Sequence, residues 1–242
     1  MAMADHFPLR ERVRARMEYT GERFQTARRH LEIGSAFDPI VPDAGPSWDQ
    51  VLLEEKFLSR LAYHVGAHSP AQFNNAAYGI RSVSPLTAGC ALLLDERVLA
   101  LVAAKILPRW TGKHLTGIPG LRYQADSRSR VILYQHARPA SITLERAHGW
   151  IRYVNAAERR AREEAPLWNG PQWSHDKFEK HRSIPDEDEV RRWSTALRRI
   201  ALWSQAHEID FHTALPEIRE MAGSRPDLLR PQRVRFPRFA GD

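Results

Sequence analysis

The sequence predicts an α+β fold, predominantly helical, whose distinguishing parts are a small antiparallel three-stranded meander and an N-terminal helix pair. Three observations lead there. Leu121–Ala125, Val131–Gln135 and Ala140–Leu144 are rich in β-formers and are separated by the turn-forming stretches Asp126–Arg130 and His136–Pro139, which is hairpin spacing. The segments on either side carry apolar residues three and four apart, the period of an amphipathic helix. A three-stranded sheet needs a second layer over its buried face, and those helices supply it.

A chain of 242 residues, 43% hydrophobic and 27% charged, can bury a proper core as one large domain or two small ones. Its formal charge is +7, and lysine occurs only at Lys56, Lys105, Lys113, Lys177 and Lys180 among 36 basic residues. Arginine forks pair with phosphate bidentately and stack on bases, so the bias suits a nucleic-acid partner. A GC-rich bacterial genome produces the same bias, and both readings stand. The single cysteine, Cys90, excludes an intrachain disulfide framework and a cysteine-based zinc module. Met1–Phe7 lacks the basic start and apolar core of a signal peptide, and the apolar stretch Ala91–Leu107 is interrupted by Asp95, Glu96 and Arg97. These features predict a cytoplasmic protein with no membrane partner.

Taken in order, Pro8–Tyr19 places Leu9, Val13 and Met17 on one helical face, with Arg10, Arg12, Arg14 and Arg16 as a basic outer surface. Thr20 and Gly21 interrupt it. A second helix, Glu22–Ile33, carries Phe24, Ala27 and Leu31 as its apolar stripe and stops at Gly34. The run Glu18-Tyr-Thr-Gly-Glu-Arg-Phe-Gln-Thr-Ala-Arg-Arg-His-Leu31 resembles the helix-turn-helix of bacterial repressors of the Lac repressor family, a glycine turn followed by an aromatic-Gln-Thr-small-x-Arg recognition helix. The resemblance implies that the second helix enters the major groove, that Phe24 and Gln25 take base-reading positions, and that Thr26 and Arg29 contact bases or backbone. Arg23 and Arg28 complete this candidate set. Glu22 and Arg23 stand where the family places an apolar and a small capping residue. Thr20 can instead cap a helix that starts at Gly21, which gives a plain helical hairpin or a partner-docking arm.

Residues 1–34 are therefore expected as a helix-turn-helix-like unit, with the Pro- and Gly-rich segment 35–47 as a linker or surface strap. Residues 48–222 form the mostly helical domain around the sheet at 121–144. Ser47 caps a helix whose Leu52, Leu53, Phe57, Leu61 and Val65 share a face, ending at Gly66. His64 and His68 lack a third ligand at helical spacing and read as ordinary histidines. Ser69–Gly79 suits a short helix. Ser84 and Pro85 open another over Leu86–Leu107, although a short strand at Ala91–Leu94 before a helix is the alternative. Pro108–Gly120 is a Gly-rich basic loop without a P-loop ending.

The meander's first turn exposes Arg128 and Arg130 beside Tyr123, Tyr134 and His136, a candidate platform for single-stranded nucleic acid. Glu145–Glu164 is helical. Trp168 and Trp173 follow in an irregular, exposed segment. The acids of Asp186–Glu189 offset the dipole at the start of a helix whose stripe is Val190, Trp193, Leu197, Ile200 and Trp203. His207, Asp210 and His212 are a weak metal or acid–base cluster. The tail, 223–242, interleaves Arg with Pro and Phe, and Arg233 and Arg235 join the nucleic-acid-binding candidates.

No nucleophile elbow, His-Glu-x-x-His, Walker loop or other cofactor motif is present, and no cofactor or metal is expected. The composition and the helix pair favour a DNA- or RNA-binding regulator, or an accessory subunit of a nucleic-acid-processing complex, over an enzyme. A metal-independent nuclease or toxin-like enzyme built from scattered residues such as His136, Glu145 and His148 is the alternative. A protein-interaction subunit, docking a partner through the tail or the exposed tryptophans, is the third reading.

Overall fold

The computed structural model describes residues 8–35, 38–65, 73, 76–110, 115–126, 129–136, 138–160, 165–166 and 186–204. Helices α1 (Leu9–Thr20), α2 (Phe24–Ile33) and α3 (Trp48–Val65) precede the strands β1 (Ile80–Leu86) and β2 (Gly89–Leu94). Helix α4 (Glu96–Leu101) continues as a π-turn over Val102–Ile106. Strands β3 (Arg109–Trp110), β4 (Leu115–Thr116), β5 (Leu121–Ala125), β6 (Val131–Gln135) and β7 (Ser141–Glu145) follow. Then come α5 (Trp150–Arg160), β8 (Ala165–Pro166), α6 (Glu187–Arg198) and a last turn, Ala201–Ser204.

The expected three-stranded meander is not the sheet of this protein. Strands β5, β6 and β7 do pair antiparallel in sequence order, but they are part of a five-stranded mixed sheet ordered β1-β2-β7-β6-β5, in which β2 runs parallel to β7. Of the two extra strands, β1 runs through the Ser84-Pro85 start expected for a helix, and β2 falls on the alternative reading of that region, a short strand at Ala91–Leu94 before a helix. Cys90, Leu92 and Leu94 of β2 point into the core while Ala91 and Leu93 face outward, so the segment is apolar on both faces and shows no period-two signal. Pro85 lies in β1, at an end of the sheet where a missing N–H leaves no ladder bond unmade. The helix starts later, at Glu96, where the Asp95 carboxylate accepts from the Arg97 N–H at 3.1 Å.

Other boundaries shift for similar reasons. Glu145 ends β7, and α5 begins only at Trp150. The loop Pro108–Gly120 contains β3 and β4, and β3 pairs with β4 on one side and β8 on the other in a second small sheet. Asp186 itself caps α6, accepting from the Asp188 N–H at 3.1 Å. Trp168, Trp173, His68, His207, Asp210, His212, Arg128, Arg233 and Arg235 lie outside the described residues.

The inner face of the sheet, with Val83, Leu92, Leu133, Ile142 and Leu144 all fully buried, packs with Phe57, Leu58 and Leu61 of α3, Val102 and Ile106 beyond α4, Trp150 of α5, and Leu197 of α6. Inside this apolar layer sits one ion pair. Arg198 clasps Glu54 with Nη2–Oε1 at 2.6 Å and Nε–Oε2 at 2.8 Å, and both side chains are 0% exposed. Gln50 and Ser194 donate to the same carboxylate, and Arg198 also donates to the carbonyls of Pro42 and Leu86, each at 2.8 Å. Burial alone would lower the Arg198 guanidinium, but the hydrogen bonds to Glu54 and its charge outweigh that and raise it. Cys90 is buried beside this pair, and burial pushes its thiol well above the ordinary value.

The segment expected as a linker or strap is held down by arginines. Asp38, Ile40, Val41 and Pro42 give their carbonyls to Arg12, Arg16, Arg199 and Arg198 respectively, and Ile40, Val41 and Ala44 are buried. A strand-free, helix-free stretch has no ladder of its own, so side chains satisfy its backbone. Among the described residues no helix is long and apolar enough to cross a membrane.

Candidate functional site

Helix α1 ends in a left-handed glycine. Gly21 has φ 70°, its N–H returns to the Met17 carbonyl at 2.8 Å, and a Cβ there would lie 2.7 Å from the Arg81 carbonyl oxygen of β1. The chain therefore turns hard against the sheet and enters α2 after Glu22 and Arg23. Val13, Ala27 and Leu31, with Met17, form the small apolar seam between the two helices. The opposite side of α2 faces the outward side of the sheet, and a cleft of ≈ 730 Å³ lies between them.

The wall of the cleft carries Arg23, Gln25, Thr26, Arg28 and Arg29. Its floor is Ser82, Ser84 and Leu86 of β1, Ala91 and Leu93 of β2, Glu145 of β7, and Arg146. These floor residues are the outward set of a period-two alternation, whose inward partners are core. Arg28 is paired with Glu32 at 2.7 Å, one turn along the helix. Arg23, Arg29 and Arg146 have no ion pair or hydrogen bond from their side chains among the described residues. Arg146 is also held at φ 52°, a left-handed conformation unfavourable for a residue with a Cβ.

Behind the wall, the two helices are locked by a charged cluster. Arg16, placed by its periodicity on the basic surface, is instead 3% exposed. Its Nε donates to Glu22 Oε2 at 2.5 Å, its Nη1 to the Ile40 carbonyl at 2.8 Å and its Nη2 to the Pro85 carbonyl at 3.1 Å. It closes the sheet edge that Pro85 leaves open. Glu22 takes further bonds from His30 Nδ1 at 2.8 Å and Thr20 Oγ1 at 3.3 Å. Burial would raise the Glu22 carboxyl, but the bonds from His30 and Arg16, the Arg16 charge and the Ser84 hydroxyl outweigh it and hold the group below the ordinary carboxylate value.

Of the residues singled out from the sequence, Arg23, Gln25, Thr26, Arg28 and Arg29 come together in the cleft. Phe24 is 38% exposed beside it, in the first turn of α2. Arg130 does not join them; it turns back onto Asp126 at 2.9 Å in the β5–β6 turn. His136 and His148 are exposed and do not line the cleft, whereas Glu145 does. Glu22, His30, Ser82 and Arg146 were not singled out. A charged residue directly after a turn glycine, six positions from an arginine, is the one signal that marks the Arg16–Glu22 pair. Among the described residues no group of three His, Cys, Asp or Glu side chains is placed to hold a metal ion. Comparison with protein-family models, with curated proteins and with solved structures finds no match to the chain.

Proposed function

We propose that this protein binds nucleic acid in the cleft between α2 and the sheet, as a regulator or an accessory subunit of a nucleic-acid-processing complex. One observation carries the reading: Arg23, Arg29 and Arg146 converge on a single cleft with no internal partner among the described residues. Uncommitted guanidinium groups are ready to take phosphate oxygens bidentately. The contrast with Arg16, Arg198 and Arg199, all engaged in the interior, separates these arginines from the general arginine richness of the chain. Gln25 adds an amide that can pair with a base edge.

A cleft backed by a sheet favours a single strand over a duplex. Its volume of ≈ 730 Å³ suits one or two nucleotides, and the sheet stands on the side of α2 that carries Gln25 and Arg29. The helix-turn-helix resemblance supports duplex DNA instead, with α2 as the reading helix. Fluorescence anisotropy of labelled single-stranded RNA, single-stranded DNA and duplex DNA over a salt series separates the two.

The Arg23→Ala/Arg29→Ala double variant is expected to weaken binding by at least about tenfold, since a charge-assisted bond contributes roughly 1.5–3 kcal/mol. On a single strand it should also reduce the salt slope by about 0.7 for each phosphate no longer neutralised. Unchanged affinity and slope would remove the cleft from consideration and shift attention to the hairpin tip and tail.

Arg146 supplies a second, opposed readout. Arg146→Gly relieves the left-handed backbone and should raise stability by about 1 kcal/mol while weakening binding. A variant that is more stable and binds as tightly as the parent would show that Arg146 holds its conformation for another reason.

A further inference from the structure

We propose that His30 is a general base and that the cleft cuts RNA by transesterification. This rests on nucleic-acid binding in the cleft and goes beyond it. His30 Nδ1 lies 2.8 Å from Glu22 Oε1, and the Glu22 side chain is 1% exposed. An ionised carboxylate only accepts, so Nδ1 carries the proton. Arg16 Nη2 approaches the same nitrogen at 3.2 Å. A guanidinium only donates, so it makes no bond to that N–H.

With that proton on Nδ1, the lone pair of the imidazole base is on Nε2. The Nδ1 edge is pressed against side chains that are 1% and 3% exposed, and the ring as a whole is 16% exposed. His30 lines the cleft. Nε2 has no hydrogen-bond partner among the described residues. A carboxylate that fixes an imidazole's tautomer and leaves its other nitrogen open is the arrangement of an oriented base.

In RNA the nucleophile is already on the substrate. Nε2 takes the proton of a ribose 2′-hydroxyl, and O2′ attacks the adjacent phosphorus to form a new O2′–P bond. The P–O5′ bond breaks with its electron pair, and the departing 5′-oxygen takes a proton from water. The imidazolium gives its proton to the hydroxide so formed, which restores the base and leaves a 2′,3′-cyclic phosphate and a 5′-hydroxyl. Arg23, Arg29 and Arg146 supply positive charge for the phosphorane, which carries one negative charge more than the diester. The attack is intramolecular, so positioning replaces a bound water. DNA has no 2′-hydroxyl and should be held without being cut.

The test uses the full chain and three fluorescein-labelled strands of one sequence: RNA, DNA, and RNA with every 2′-oxygen methylated, all in EDTA. The expected result is cleavage of the RNA alone, to cyclic phosphate ends. His30→Asn keeps an amide donor where Nδ1 sits but has no basic nitrogen. It should cut RNA about 10²–10⁴-fold more slowly at saturating protein, with affinity for the methylated strand read separately by anisotropy. His30→Gln, prepared in parallel, serves if the asparagine variant does not fold. Binding without cleavage, cleavage abolished by EDTA, or equal cleavage by the His30 variants would overturn the inference and leave the binding reading intact. Failure of the parent to bind any strand would overturn both.

Discussion

Arg198→Met should lower the unfolding free energy by about 3–5 kcal/mol, the range for removing one partner of a buried ion pair. Arg198 and Glu54 are both 0% exposed, so the carboxylate left behind cannot recruit solvent. The loss reaches further than the pair, because the guanidinium also satisfies the Pro42 and Leu86 carbonyls and joins α6, the strap and the β1–β2 hairpin. Each carbonyl left unpaired costs a further share, about 1–3 kcal/mol for a buried group. Against a total stability of roughly 5–15 kcal/mol for a domain, this is enough to unfold much of the protein at ambient temperature. The measurement is a urea transition whose midpoint falls while its slope stays constant. Adding Glu54→Leu removes the stranded charge and should restore part of the loss; the orphaned carbonyls keep the double variant below the parent. A loss below about 1 kcal/mol, the size of an exposed pair, would mean that this cluster is hydrated in solution.

Arg16→Met carries the second large effect, and its size should change with pH. The substitution leaves Glu22 buried, with His30, Thr20 and Ser84 as remaining partners, and frees the Ile40 and Pro85 carbonyls. At neutral pH the expected loss again approaches about 3–5 kcal/mol. In the parent, the Glu22 carboxyl is held below its ordinary value, so its contribution is fully present above the unfolded-state value and is lost as pH falls through the folded one. In the variant the largest remaining influence is burial, which raises the carboxyl, and protonation then removes an uncompensated charge. The gap between the two proteins should therefore narrow as pH is lowered through the carboxylate range. Urea transitions at a series of pH values read it directly. A gap that widens on acidification would show that Glu22 is not the group stranded by the substitution.

These two arginines also explain why charge counting misreads the chain. The net charge of +7 is a property of the sequence. Its division is not: Arg16, Arg198 and Arg199 are bound inside, Arg28 and Arg130 are matched by neighbours, and Arg23, Arg29 and Arg146 line the cleft with no side-chain partner among the described residues. Nothing in a linear charge pattern separates those fates.

Local chemistry fixed much of the architecture in advance. The stripes of α3 and α6, the glycine that ends α1, the acids at the start of α6 and the three strands between Leu121 and Glu145 are legible because periodicity, capping and turn chemistry act within a few residues, whereas the stripe expected on α1 fails, with Leu9 exposed and Arg16 buried. The wall of the candidate site was legible as well, since Arg23 to Arg29 sit together on one short helix.

The tertiary structure alone decided the rest. Whether Gly89–Leu94 is strand or helix depends on β7, which lies far along the chain and offers it a parallel partner; a run apolar on every side satisfies either geometry by itself. The floor of the cleft depends on the same pairing, because only that sheet sets Ser82, Leu93, Glu145 and Arg146 opposite α2. Arg16 meets Glu22 and His30 because α1 and α2 fold back on a left-handed glycine, and the burial of this cluster follows from what covers it. A segment's own residues determine which groups it offers; long-range pairing and burial decide which of them remain free to act.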